Sequence, residues 1–106
     1  GKNVITGPNV FIADYNHEYK NISLPIKMQG INYKKMLLNK NEIFIGDDSW
    51  IGTNVVIVGN VKIGKHVVIG ANAVVTKDIE DYSVVVGNPA KIIKKYKFES
   101  NTWEKV

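Results

Sequence analysis

From Ile45 onward an aliphatic residue returns at every sixth position: Ile45, Ile51, Ile57, Ile63, Ile69 and Val75. Glycine follows it at Gly46, Gly52, Gly64 and Gly70, and the fifth positions (Ser49, Val55, Val61, Val67, Ala73 and Ile79) are apolar or small throughout. An amphipathic helix needs apolar spacings of three and four, and a hairpin meander needs turn signals at irregular intervals. A period of six meets neither requirement. It fits a short strand and a corner, repeated. The fifth position and the next first position stand two apart, so both side chains point inward and the residue between them points outward. Glycine is expected at the bend of the corner, where a side chain is unwelcome. Coils built this way stack into an all-β solenoid whose interior is a column of Ile and Val. The choice of 14 Val and 14 Ile against 3 Leu and 4 Ala agrees with strands rather than helices.

The phase runs backwards through Thr6 and Ile12, breaks after His17, and resumes with the hexad of Asn39 that supplies Ile43. Residues 18–38 therefore read as an inserted loop, of a length that in a compact domain usually carries function. Leu24, Ile26, Met28, Met36 and Leu37 are expected to pack it against something. Gly87-Asn88-Pro89 punctuates the last coil. The expected organisation is a β-helix domain over 1–90 and a C-terminal tail or short helix over 91–106. Residue 1 enters mid-repeat without the polar cap a solenoid end needs, so the chain reads as the C-terminal part of a longer protein.

Composition removes several classes of function. There is no cysteine, hence no disulfide, thiol nucleophile or Cys-rich zinc site. Two histidines at unrelated positions fall short of the three a His-ligated zinc enzyme uses, so no metal is expected. No apolar run approaches the roughly 20 residues of a membrane span, and no signal peptide is visible. The expected location is cytoplasmic. The net charge of +4 comes from 14 lysines and no arginine, which argues against sequence-specific nucleic-acid recognition, where bidentate arginine dominates. A lysine cluster at Lys91, Lys94, Lys95 and Lys97 reads as a solvated face or a phosphate site.

Three motifs on the unbroken hexad resemble the hexapeptide-repeat acyltransferases. Asp14-Tyr15-Asn16-His17-Glu18-Tyr19 is similar to the catalytic-histidine segment of the sugar O-acetyltransferases, and Ser49-Trp50-Ile51-Gly52 to their tryptophan turn. Val75-Thr76-Lys77-Asp78-Ile79, followed by Gly87-Asn88-Pro89-Ala90-Lys91, resembles their coenzyme A end. The insertion with Leu24-Pro25-Ile26 and Gln29-Gly30 resembles the branch that acetylates bacterial surface polysaccharides. The resemblance implies a left-handed parallel β-helix, a hand that the period itself does not give. It implies acetyl-CoA as donor, a homotrimer with active sites between subunits, and a sugar hydroxyl as acceptor. An amino sugar, an antibiotic hydroxyl and serine remain as alternative acceptors, and a non-enzymatic scaffold as the alternative from another class.

Acyl transfer to a hydroxyl needs a base, because an alcohol is a poor nucleophile at neutral pH. Imidazole is substantially neutral at pH 7 and can accept the proton. By motif, His17 is that base; His66 has no such context and reads as a surface residue. Asp14 or Glu18 could orient the His17 ring, as could a backbone carbonyl. The resemblance implies that Trp50 borders the thiol end of coenzyme A and that the Thr53 N–H faces the thioester or its oxyanion. It further implies that Ala71 contacts pantetheine through its backbone, with Thr76, Lys77, Lys91 and Lys94 along the phosphates and adenine. Lys91 to Tyr96, read as helical, would bring Lys91 and Lys94 to one face. Lysine at these two places, where the family often has arginine, keeps the charge and loses the fork.

Overall fold

The computed structural model describes residues 1–14, 17–30 and 42–106. Each hexad contributes one short strand, and three hexads close a coil. The first coil supplies β1 (Ile5–Thr6) and β2 (Phe11–Ala13). The second supplies β3 (Ile43–Ile45), β4 (Trp50–Ile51) and β5 (Val56–Val58), and the third β6 (Val61–Ile63), β7 (Val68–Ile69) and β8 (Val74–Val75). A fourth, partial coil adds a single bridge at Ile79 and then β9 (Ser83–Val86). Stacking joins equivalent strands into three parallel ladders, β1-β4-β7-β9, β2-β5-β8 and β3-β6.

The column of inward side chains is the core. Ile51, Ile57, Ile63, Ile69 and Val75 from the first positions, and Val55, Val61, Val67 and Ala73 from the fifth, are all buried. At about 25 cal/mol per Å² of apolar surface, each Ile or Val contributes roughly 1.5–3 kcal/mol. Ser49 is a buried polar exception and is satisfied twice: its Oγ donates to the Gly64 carbonyl and accepts from the Val67 N–H, each at 3.1 Å. Ile12, inward in the first coil and stacked on Ile57 of the second, keeps 45% exposure.

Two local readings of the hexad need correction. The bend is not carried by the glycines that follow the aliphatic residue. It is carried two residues later, at fourth positions held in the left-handed region: Asn3, Asn9, Asp48, Asn54, His66 and Asn72, with φ between 53° and 65°. Asn, Asp and His tolerate that conformation better than other residues with a Cβ. The second-position glycines answer a different demand, which is space between coils. A Cβ on Gly46 would stand 2.5 Å from the Gly64 carbonyl carbon, and one on Gly52 2.8 Å from the Ala71 nitrogen. The second correction concerns the end of the repeat. Ile79 stacks on Ile63 and Val85 on Ile69, each sixteen residues later instead of eighteen. Ile79 therefore continues a first-position column, and the corner after Val75 is two residues short.

Residues 91–106 are not helical. β10 (Lys91–Lys97) turns back antiparallel along β9, and β11 (Thr102–Lys105) pairs with β10, extending one ladder to a six-stranded sheet in the order β1-β4-β7-β9-β10-β11. The open edge of β9 offers a row of unmet backbone groups, and pairing with it outweighs a helical preference that Lys and Ile express only weakly. The Nζ of Lys95 bonds the Glu80 carboxylate and ties the hairpin to the last coil.

The base of the inserted loop is closed by the Glu18 N–H donating to the Gly30 carbonyl at 2.9 Å. Within it a 3-10 turn spans Ile26–Met28, and the Gln29 amide donates to the carbonyls of Asn21 and Leu24. Leu24, Ile26 and Met28, expected to pack the loop against something, are exposed in the single chain. Met36 and Leu37 lie outside the described residues.

Candidate functional site

The register puts one outward row on the six-stranded sheet: Ile5, Trp50, Val68 and Val84, one residue from each of β1, β4, β7 and β9. Trp50 is 56% exposed, as its sixth position requires. Beside this row the chain turns the corner at Gly7, Gly52 and Gly70, where the absence of side chains leaves a depression. The result is an apolar groove of about 440 Å³ walled by Trp50, Val68 and Ile69 and edged by Gly7, Gly52, Thr53, Gly70 and Ala71.

Two backbone donors open onto it. Among the described residues the N–H groups of Thr53 and Ala71 find no acceptor, while their neighbours Gly52, Asn54, Gly70 and Asn72 all donate to carbonyls of adjacent coils. The contrast with the corner before the sheet explains why. There the equivalent N–H groups of Lys2 and Lys65 are taken by Asp47 Oδ1 at 2.7 Å and Asp81 Oδ1 at 2.9 Å, carboxylates of the next coil. At the groove corner the residue stacked beyond Thr53 is Ala71, whose methyl group accepts nothing. The Thr53 hydroxyl is turned away and donates to the Pro8 carbonyl at 3.0 Å. Free, fixed amides at the wall of an apolar groove suit a ligand that carries carbonyl oxygens or develops negative charge on one.

Of the residues expected at a site, Trp50, Thr53 and Ala71 come together here. His17 is exposed and lies just past β2 of the three-stranded sheet, so it stands on a different face from Trp50. Asp14 is half-buried and Glu18 sits at the loop base; Tyr15 and Asn16 lie outside the described residues. Thr76 and Lys77 are exposed at the corner after β8, one face away from the groove. Lys91 and Lys94 lie on β10, and a β-bulge at Ile93 sets their direction. Lys91 faces Val86 and Lys94 faces Val84, so both lysines share the outward face by register, not by helical spacing. His66 is exposed at its corner and stacks on Tyr82 at 5.8 Å, away from the groove. Sequence reasoning did not single out Gly7, Val68 or Gly70 as groove residues, although each repeats the phase of Gly52 or Trp50. No cluster of three or more possible metal ligands occurs among the described residues.

Comparison with known proteins decides the family. The family described as bacterial transferase hexapeptide (six repeats) matches residues 42–77. WbbJ of Escherichia coli (strain K12), named as an O-acetyl transferase of lipopolysaccharide biosynthesis, is 39% identical over 105 residues, which is 99% of this chain and 54% of WbbJ. The chain belongs to the hexapeptide-repeat transferases. Among solved structures, a maltose O-acetyltransferase from Clostridium difficile 630 superposes with a TM-score of 0.74 at 41% identity, covering 90% of this chain and 46% of its own. A galactoside acetyltransferase in complex with coenzyme A superposes with a TM-score of 0.76 at 31% identity, covering 100% of this chain and 50% of its own. The chain spans about half the length of the relatives it matches. As a hexapeptide-repeat transferase it winds as a left-handed parallel β-helix. No described helix is long and apolar enough to cross a membrane.

Proposed function

We propose that the protein transfers an acetyl group from acetyl-CoA to a hydroxyl of a sugar, in the modification of a bacterial surface polysaccharide. The observation that carries this reading is the groove at Trp50, with the unpaired amides of Thr53 and Ala71 on its edge. The relatives named for O-acetyl transfer, and the one solved with coenzyme A, support the choice of donor and reaction. Pantetheine is an arm of amides and methylenes, so apolar walls take its chain and free backbone donors take its carbonyls.

In the proposed step His17 removes the proton of the acceptor hydroxyl as the oxygen attacks the thioester carbonyl. The tetrahedral oxyanion is met by the Thr53 N–H, the carbon–sulfur bond breaks, and His17 returns its proton to the leaving thiolate. Asp14 or Glu18 serves to orient the imidazole. Thr76 and Lys77 attend the phosphate end, joined by Lys91 and Lys94. Because His17 and Trp50 stand on different faces of one chain, a neighbouring subunit is needed to close the pocket, and the protein is a homotrimer with sites between chains. It acts in the cytoplasm, where its donor is found.

The test is mass spectrometry of the full-length protein with acetyl-CoA and a panel of hexoses, amino sugars and antibiotics. O-acetylated hexose is the expected product. An N-acetylated amino sugar or an acetylated antibiotic in its place would overturn the acceptor, and absence of any product would point to a scaffold.

A further inference from the structure

The third face of the coil, which carries β3 and β6, takes no part in the groove at Trp50. Its outward side chains are Phe44 on β3 and Lys62 on β6, aligned by register. Asp78 extends the row, because its neighbour Ile79 stacks on Ile63. Phe44 is 54% exposed. Three shallow depressions meet on this face at Lys62. One, of about 410 Å³, lies between Phe44 and the corner at Asn60. A second, of about 250 Å³, continues from Phe44 to the opposite corner at Asp47 and Lys65. The third, of about 660 Å³, spreads from Lys62 towards Glu80 and Lys95. The first two form one track across the sheet. From Asn60 to Lys65 it follows five residue steps, about 17 Å at ~3.3 Å each.

The acceptors along the track are held in place. Asp78 Oδ1 accepts the Lys62 N–H at 2.8 Å, and Asp81 Oδ1 accepts the Lys65 N–H at 2.9 Å. Each bond anchors one carboxylate oxygen and leaves the other for a ligand, with little ordering still to be done. The one ion pair among the described residues joins Lys95 to Glu80, so the Lys62 ammonium is left as a donor. This mixture selects among ligands. Five carboxylates and three lysines line the three depressions together. The excess of acid disfavours a polyanion, and the interleaved lysines disfavour a polycation. No cluster of possible metal ligands occurs among the described residues. A neutral polyol matches both signs, because each hydroxyl donates and accepts. The C–H face of a sugar ring also lies flat on an exposed phenyl ring, which offers its electron-rich face. One sugar ring covers only part of such a track, whereas a chain of them covers it all. The track also begins near the proposed base. The Gly59 N–H donates to the Ala13 carbonyl at 3.1 Å, so the corner at Gly59 and Asn60 is stacked on the segment that leads to His17.

We infer that the acceptor is a chain of neutral sugars, and that the face of β3 and β6 is the track for the units flanking the one acetylated. Phe44 lies under one ring, and Lys62, Asp78 and Asp81 take the hydroxyls beside it. The inference rests on the sugar acceptor proposed above and adds to it the side of the molecule on which the rest of the polymer lies. It makes chain length a determinant of acceptor choice.

The experiment measures acetylation of two neutral ladders, glucose to maltohexaose and galactose to a linear galactohexaose, by the full-length protein and its Phe44→Ala and Phe44→Tyr variants. Wild-type KM should fall with chain length and level off once the track is filled. Phe44 is exposed, so its replacement leaves the core intact. Phe44→Ala should raise KM for the longest acceptor by about three- to tenfold, the worth of one aromatic contact. It should leave KM for the free hexose unchanged, and Phe44→Tyr should restore the gain from length. That gain should persist in high salt, because a neutral chain has no charge to screen. In NMR, maltohexaose should shift the Phe44 ring signals, and the polyanion polygalacturonate should not. Acetylation of a free hexose with no gain from length, or with a gain untouched by Phe44→Ala, overturns the track and leaves the transferase reading standing. Larger shifts with polygalacturonate than with maltohexaose overturn the neutral chain. Ring shifts with maltohexaose, without acetylation of any sugar, support the track and count against the transferase reading. Neither shifts nor acetylation removes both.

Discussion

The roles proposed for His17 and for the lysines of β10 fall on different substrates, acceptor and donor, and kinetics can tell them apart. A general base acts on the proton moved in the transition state, so His17→Ala in the full-length protein should lower turnover by about 10²–10⁴-fold. Coenzyme A binding should survive, since His17 lies beyond the groove that Trp50, Thr53 and Ala71 edge. Turnover above a third of the wild-type rate would remove His17 from the mechanism. The role proposed for Lys91 and Lys94 is to hold phosphates that do not change during reaction, which is uniform binding. The double variant Lys91→Ala, Lys94→Ala should therefore raise the KM for acetyl-CoA and leave kcat nearly unchanged. The increase should shrink at high salt, because exposed charges are screened over about 8 Å at physiological ionic strength. An unchanged KM in low-salt buffer would return these lysines to the solvated face. The exposed positions of His17 and Trp50 were legible because each sits at an outward place on a fixed phase. Thr53 and Ala71 entered through the family resemblance alone; that their amides are unpaired was not legible, because a donor is left free by what its stacked neighbour fails to offer, and Ala71 stacks on Thr53 from eighteen residues away.

At the scale of the strand and its corner, the period of six announced the ladder but misassigned the bend. Glycine at the second position is conspicuous in a sequence, whereas asparagine at the fourth resembles ordinary surface polarity. Yet Asn9, Asn54 and Asn72 hold φ near 60° in three successive coils. Asn54→Ala should cost about 1–2 kcal/mol, because a side chain without a compensating polar group is disfavoured in that region. Asn54→Gly should be close to neutral. Urea unfolding of both variants checks this, and equal destabilisation would mean that side-chain contacts, not the backbone, decide the corner. The shortened corner after Val75 escaped for a related reason: Ile79 satisfies either an inward fifth position or an inward first one, so apolar pattern alone cannot choose. For β10 the ambiguity is deeper. Lys91-Ile92-Ile93-Lys94-Lys95-Tyr96 has no clean alternation because the bulge at Ile93 shifts its phase, and only the waiting edge of β9 makes it a strand.

The whole molecule is a stack in which every coil presents the next with the same pattern of donors, acceptors and methyl-bearing side chains. Such an object has no internal reason to stop growing. A second chain laid on β9 in register would continue the parallel ladder at almost no cost in geometry. The antiparallel return of β10 changes that, because the ladder beyond it runs in a different sense and continues into β11, which bears Lys105 and Glu104. It functions as a chain terminator in a one-dimensional polymer. Cutting the full-length protein after Ala90 would leave Val85 and its strand edge without their cover. The expected outcome is end-to-end oligomers that lengthen with concentration in light scattering, where the intact protein holds one mass. The same reversal spreads sixteen residues across the outer sheet instead of winding them into another coil. Lys91, Lys94 and Lys105, which a further coil would have scattered, are thereby gathered on one face.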